Sequence, residues 1–373
     1  MKSAMGIILT GGKNNRLKEL SLERSIAAVP FGGKYRAIDF TLSNMVNSGI
    51  TNIGVLTQYN IRSLMDHLGS GKEWDLDRKN KGLVIFPPYL SEFGTGWYKG
   101  TADAMYNNLT FLERSDEAFV VIGQGYVIYN MDYRPMLEQH IQSGADITIA
   151  CRNMCDFSAN DQKLLGMVEI NNEGRIIDFM EKPLNPKTSM GSMGVYIIRR
   201  KLLIEILQES AAKGQAEFVQ DIIVRHTQDL KIYASIFNGY WRPLSNIQLY
   251  YRTNMELLNP KVRLELLMDR RKIFTKVKDE APAKYNEEAN VRNSIVADGC
   301  IIEGDVENSV LFRGVRVMKG AVIKDSLIMQ GSVLEQNVNL RHCILDKGVT
   351  ITAGKTLNGD SEWPLIVGKN VRV

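Results

Sequence analysis

The sequence is short of the residues that build disulfide frameworks and metal centres. It holds four cysteines, Cys151, Cys155, Cys300 and Cys343, with no CxxC pair and no regular spacing. That excludes a disulfide scaffold and suits a reducing compartment. Four scattered histidines do not make a zinc site. No apolar run is long enough to span a bilayer, and the N-terminal one is too short for a secretion signal and lacks a cleavage site. Nor does one sign of charge dominate, since 46 Lys+Arg against 42 Asp+Glu leave only +4. Nucleic-acid readers concentrate basic charge on one face, and nothing here does so. These absences predict a soluble, cytoplasmic protein that acts on neither nucleic acid nor membrane. What the chain does have is apolar residues, 44% of 373, enough for a large core and two domains.

One stretch organises the N-terminal part. Met5-Gly6-Ile7-Ile8-Leu9 is an apolar run short enough for a buried strand, and Thr10-Gly11-Gly12 follows it. Two glycines behind a strand let the backbone turn tightly and approach a phosphate. Lys13 and Arg16 put positive charge beside that turn. Gly-Gly is common at strand-to-helix junctions and specifies little alone; a second basic loop, Phe31-Gly32-Gly33-Lys34-Tyr35-Arg36, strengthens the reading. Short apolar runs then recur at 53–56, 119–122, 147–150 and 167–170, with helical patterns between them, such as 102–112 and 133–143. Strands alternating with helices predict an α/β domain with a mostly parallel sheet covered on both faces. In such sheets ligands bind beyond the carboxyl ends of the strands, where Gly11-Gly12 falls.

A helix pattern over 247–258 leads out of this domain, and residues 259–290 turn polar and charged. The pattern then changes. Asn293-Ser294-Ile295-Val296, Asn308-Ser309-Val310-Leu311, Asp325-Ser326-Leu327-Ile328 and Arg341-His342-Cys343-Ile344 recur about every 16 residues. Within each unit apolar residues return six positions on, as in Ile295/Ile301, Leu311/Val317/Ile323, Ile328/Leu334/Leu340 and Leu345/Ile351. Hexads of this kind predict a parallel β-helix, whose coils stack to bury one column. A β-sandwich would alternate with period two, which this does not.

Several blocks carry a specific resemblance. The run from Gly11-Gly12 through Arg16-Leu17, Gly32-Gly33-Lys34-Tyr35-Arg36, Ile38-Asp39-Phe40 and Val46-Asn47-Ser48-Gly49-Ile50 resembles the N-terminus of bacterial ADP-glucose pyrophosphorylase (glucose-1-phosphate adenylyltransferase). The likeness continues through Trp97-Tyr98-Lys99-Gly100-Thr101-Ala102-Asp103, Glu181-Lys182-Pro183, Ser192-Met193-Gly194 and Gly239-Tyr240-Trp241-Arg242, and so covers nearly the whole chain. It implies a Rossmann-like nucleotidyltransferase domain over 1–245, a linker helix and loop over 246–290, and a left-handed parallel β-helix over 291–373. It also implies a tetramer.

Nucleotidyl transfer from a triphosphate to a sugar phosphate needs alignment and charge neutralisation more than covalent chemistry. The resemblance implies a glycine-rich first loop, a lysine after it, and two aspartates that hold magnesium. This chain departs at each. Asn14 replaces a loop glycine. Ile26 stands where active members carry the lysine, and loss of one preorganised charge donor costs on the order of 3–4 kcal/mol. Tyr126 takes the place of the first metal aspartate, and a neutral phenol is a poor magnesium ligand. Pro243, after Gly239-Tyr240-Trp241-Arg242, replaces the second. Asp132 aligns with a different family aspartate. No catalytic residue and no metal site are therefore expected in this chain.

The binding half is better preserved. Gly11, Gly12 and Arg16 remain as a vestigial nucleotide site. Gly100, Gly166, Glu181, Lys182 and Ser192 match the family's sugar-phosphate pocket, where the carboxylate holds glucose hydroxyls and the lysine holds the phosphate. Taken without the resemblance, Lys182 reads as a solvated lysine at a strand end. Gln220 departs from a family lysine. Glu23 sits where some relatives place a lysine that contacts anionic activators, whereas Lys34 and Arg36 remain as candidate effector contacts. This pattern resembles the GlgD-type subunit that keeps the family fold but lacks catalytic residues. The resemblance implies a regulatory partner of a catalytic subunit in a heterotetramer, with self-association as an alternative. Magnesium would then be held by the catalytic partner and no cofactor by this chain, with a sugar phosphate or nucleotide as effector.

Overall fold

The computed structural model describes residues 3–12, 15–89 and 96–373; the departures noted at Lys13 and Asn14 lie outside them. Ala4–Leu9 is buried along its whole length. It pairs in parallel with Asn52–Leu56 on one side and Phe119–Gln124 on the other, and Gly82–Phe86 extends the sheet beyond Asn52–Leu56. Past Phe119–Gln124 the direction reverses: Met190–Arg199 runs antiparallel to it and to Ile147–Asn153, which carries Ile232–Ile236 in parallel. Gly166–Ile170 joins at Gly191, with Ile176–Glu181 antiparallel beside it. The result is a nine-stranded mixed sheet, parallel through its centre.

Side chains of the first strand alternate between two cores, as the pleat requires. Ala4 and Ile8 join Ile38, Leu42 and Met45 of helix Ile38–Asn47 on one face. Met5, Ile7 and Leu9 meet Leu203, Ile206 and Leu207 of helix Arg200–Ala212 on the other. Gly6 belongs to the first face because a Cβ there would lie 2.6 Å from the Met45 sulfur. The pattern read as one helix over 102–112 is two short ones, Thr101–Asn107 and Leu109–Glu113, broken at Asn108.

The C-terminal region is a left-handed parallel β-helix of three five-stranded sheets. Ile302, Val317, Leu334 and Ile351 form one side of the buried column, Val306, Ile323 and Leu340 the second, and Leu311, Ile328 and Leu345 the third. In the first coil the reading of Ile295 and Ile301 as inward is one residue out. Val296 pairs with Leu311 and Ile302 with Val317, so those two face the column, and Ile295 packs outward. A one-residue slip moves a side chain to the opposite face, and a run such as Ser294-Ile295-Val296 does not say which of its two apolar residues is inside.

The recurrent Asn-Ser signal has a backbone cause. Asn293, Asn308, Asp325 and His342 all take positive φ, between 41° and 49°, at one corner of successive coils. Asn and Asp tolerate that conformation better than other residues with a side chain. Ser309 then receives the bond from Ser326 N at 3.1 Å, and Ser326 the bond from Cys343 N at 3.1 Å, in a ladder along the axis.

The third sheet of the β-helix is apolar on both sides. Its outward residues Val310, Leu327 and Ile344 pack with Phe312 and Met329 against Tyr240, Leu244, Ile247, Tyr250 and Tyr251. Helix Ile247–Glu256 thus docks on the β-helix rather than serving as a free tether.

Candidate functional site

The strand-to-loop junctions at the carboxyl ends of Ala4–Leu9 and Phe119–Gln124 open onto a cleft of about 470 Å³. Gly11, Gly12 and Arg16 line it, as do Gly166, Glu181, Lys182 and Ser192. The sheet therefore gathers the nucleotide and sugar-phosphate candidates, read from separate blocks, around one space. Gly100 does not line it. A Cβ at Gly100 would stand 2.5 Å from the Ala216 carbonyl oxygen, so this glycine permits a close backbone approach, with Ala102 N donating to the same oxygen at 2.7 Å. Gln220 and Asp132 are also absent from the lining. Asp132 is tied to Arg134, whose Nη2 lies 2.6 Å from it and whose backbone N–H it accepts at 2.9 Å.

Ile26, Tyr126 and Pro243 all line the same cleft. Gly11 has φ = 82°, and a Cβ built on it would stand 3.0 Å from Ile26 Cγ2 and 3.2 Å from Tyr126 Cε1. The two substituted side chains thus close over the glycine turn that a phosphate would approach. Pro243 and Val127 pair in the antiparallel ribbon of Val127–Tyr129 with Trp241–Pro243, and Leu244 N donates to the Tyr126 oxygen at 3.0 Å. Positions 126 and 243, far apart in sequence, are therefore neighbours in space. Burial, followed by the nearby Glu181 and Glu217 carboxylates, pushes the Tyr126 phenol well above its ordinary range, so it stays protonated and neutral.

Magnesium takes about six oxygen ligands and is held through one or two carboxylates. Among the described residues lining the cleft Glu181 is the single carboxylate. It lies 2.8 Å from the Lys182 ammonium. The residues present do not fit the metal that the fold family implies, and no step can be routed through it. What the cleft retains suits a neutral polyol with an anionic end: Glu181 as acceptor, Lys182 as cation, Ser192 and Gln124 as neutral partners. Trp241 adds an indole N–H that is buried without a hydrogen-bond partner. The sequence reading quoted Trp241 within a block but gave it no role, because nothing in the block says which way the ring turns. Lys182 adopts φ = 51°, a left-handed conformation uncommon for lysine.

Lys34 and Arg36 line a second cavity of about 260 Å³, where the N-terminal domain meets the β-helix. Lys276, Lys278, Arg313 and Lys347 join them, none of which sequence reasoning had singled out. Their signal was invisible because they come from the extended run after helix Pro260–Leu267 and from two coils of the β-helix. Arg36 is anchored through Nη1 to the Ser63 carbonyl at 2.8 Å and to Ser63 Oγ at 2.7 Å. Glu23 is turned elsewhere, to Lys369 at 2.6 Å.

Comparison with known proteins agrees with this architecture. The nucleotidyl transferase family profile matches residues 5–260, and that of the GlmU-like C-terminal hexapeptide matches 280–363. A glucose-1-phosphate adenylyltransferase of Fervidobacterium nodosum is 41% identical over 356 residues, 95% of this chain and 85% of its own. One of Clostridium perfringens is 43% identical over 331 residues, covering 88% of this chain and 84% of its own. One of Bacillus cytotoxicus is 37% identical over 369 residues, 98% and 97% of the two chains. A nucleotidyl transferase domain whose sheet places these glycines over one cleft, a hexapeptide β-helix docked on it, and likeness along the whole length lead to one assignment: the chain belongs to the glucose-1-phosphate adenylyltransferase (ADP-glucose pyrophosphorylase) family.

Proposed function

We propose that this chain is a catalytically deficient, GlgD-type subunit of ADP-glucose pyrophosphorylase. It acts in glycogen synthesis, in the cytoplasm, by modulating a catalytic homologue within a heterotetramer. The observation that supports this is the convergence of Ile26, Tyr126 and Pro243 on one cleft that offers a single, lysine-paired carboxylate. The partner would hold magnesium and carry out ATP + glucose 1-phosphate to ADP-glucose + pyrophosphate. The cavity of Lys34 and Arg36 would take an anionic effector, a sugar phosphate or a nucleotide. Among the described residues no helix is long and apolar enough to cross a membrane.

A second reading, an adenylyltransferase with residual activity, draws on the relatives, each of which carries that enzyme's name. Purified protein assayed alone with ATP, glucose 1-phosphate and Mg²⁺ separates the two. Turnover within about tenfold of an active homologue, a gap of roughly 1.4 kcal/mol in the barrier, decides for the enzyme. Co-purification with a catalytic homologue then separates modulation from a purely structural role, since a scaffold leaves the partner's saturation curve unchanged.

A further inference from the structure

The second cavity gathers six cationic side chains: Lys34, Arg36, Lys276, Lys278, Arg313 and Lys347. Like charges crowded in a half-buried space raise each other's energy, and an anion entering that space relieves it. Arg313 is only 8% exposed, and its Nε–H is buried without a partner among the described residues. Lys347 follows Asp346 in the chain, but the Asp346 carboxylate is committed to Arg24 through two bonds of 2.8 and 2.9 Å. Lys347 thus lines the cavity with its nearest acid already occupied.

The geometry points to Lys347 as a proton-linked anion contact: an oxyanion entering this cavity draws a proton onto Lys347, and its affinity therefore falls as pH rises through neutrality. This rests on the reading of the cavity as an effector site. The charged groups around Lys347 come from every element packed there. Its own turn supplies Asp346, the loop before helix Ile38–Asn47 supplies Arg24, Lys34 and Arg36, and the extended run after Pro260–Leu267 supplies Lys276 and Lys278. Another coil supplies Arg313, and helix Arg62–Leu68 supplies Asp66 and His67, the latter paired with Asp39 at 2.5 Å. Burial first, then Arg36, Arg24 and Lys278, push the Lys347 ammonium down to about 7, with Asp346 opposing. The ammonium is therefore partly discharged at neutral pH, and a bound dianion restores it.

Sulfate is the probe, because its charge is constant between about pH 6 and about 9, where His and a depressed Lys titrate. Its affinity is read by calorimetry at constant ionic strength, set with sodium chloride. In the unaltered chain, affinity should fall by up to about tenfold per pH unit above neutrality, as linkage to one proton requires. Lys347→Arg should bind sulfate with a flat profile, and Arg313→Ala should bind it more weakly with the slope intact. A flat profile in the unaltered chain overturns the linkage. An equal slope in Lys347→Arg also overturns it and moves the proton to His67. Absence of sulfate binding at every pH, or binding undiminished in Arg313→Ala, overturns the effector site together with its linkage.

Discussion

Arg24 and Asp346 stand 322 positions apart and meet as a bidentate pair, with Nη1 to Oδ1 at 2.8 Å and Nη2 to Oδ2 at 2.9 Å. Their side chains are 4% and 1% exposed. The pair joins the β-helix to the segment that, two residues later, places Ile26 in the cleft. A planar guanidinium matches a carboxylate in both bonds, which a lysine cannot reproduce.

Breaking this pair from one side leaves a buried charge unpaired. Arg24→Ala should destabilise the protein by about 3–5 kcal/mol, whereas Arg24→Met with Asp346→Leu should recover most of it. Denaturant melts of the three variants check this. A double variant as unstable as the single would show that the pair itself, and not the unpaired charge, carries the effect.

Catalytic repair should require all three positions at once. Ile26→Lys, Tyr126→Asp and Pro243→Asp, made singly, should leave magnesium-dependent pyrophosphate release at background, since each remaining gap still costs about 10²–10³ in rate. The triple variant should show turnover. Groups that act as a unit do not contribute additively, so full activity from one reversion would mean that the other two are not needed.

Asp156 carries a pH signature. Burial would raise its carboxyl, but hydrogen bonds from Arg152 and Arg242, at 2.8 Å each, prevail and hold it at about 2. A carboxylate depressed in the folded state stabilises above its unfolded pKa, near 3.9, and that stability is lost as pH falls through the folded value. The stability gap between the unaltered chain and Asp156→Asn should therefore be constant above about pH 5 and close toward about pH 2. A gap that persists at the acid end would assign it to packing of the Arg242 guanidinium, which lies 4.7 Å from the Phe157 ring.

Neighbours on one β-helix strand should behave differently. Ile328→Ala removes a side chain from the buried column and should cost about 2–5 kcal/mol. Leu327→Lys instead puts a charge into the seam between the β-helix and helix Ile247–Glu256. It should raise proteolytic cleavage between the two parts while leaving the coils folded. Equal loss of both parts in Leu327→Lys would mean that they fold as one unit.

Much was legible in order along the chain. The apolar run before Gly11-Gly12, the alternation of strands and helices, and the hexads after residue 291 are local patterns, and local periodicity survives without knowledge of the fold. The replaced positions Ile26, Tyr126 and Pro243 were legible as residue types. The inward register of the first coil was not, because Ile295 and Val296 are both apolar and only pairing with Val310 and Leu311 decides between them.

The amino-acid sequence by itself determined the two kinds of architecture and which charged groups this family member lacks, since composition and spacing are properties of the chain alone. Only the tertiary structure decided that Tyr126 and Ile26 lie against Gly11, that Gly100 stands apart from the cleft, and that Arg313 and Lys347 join Lys34 and Arg36 at one cavity. The physical reason is that charge and steric effects act through distances of a few ångströms, and those distances are set by sheet and coil pairing between residues remote in the sequence.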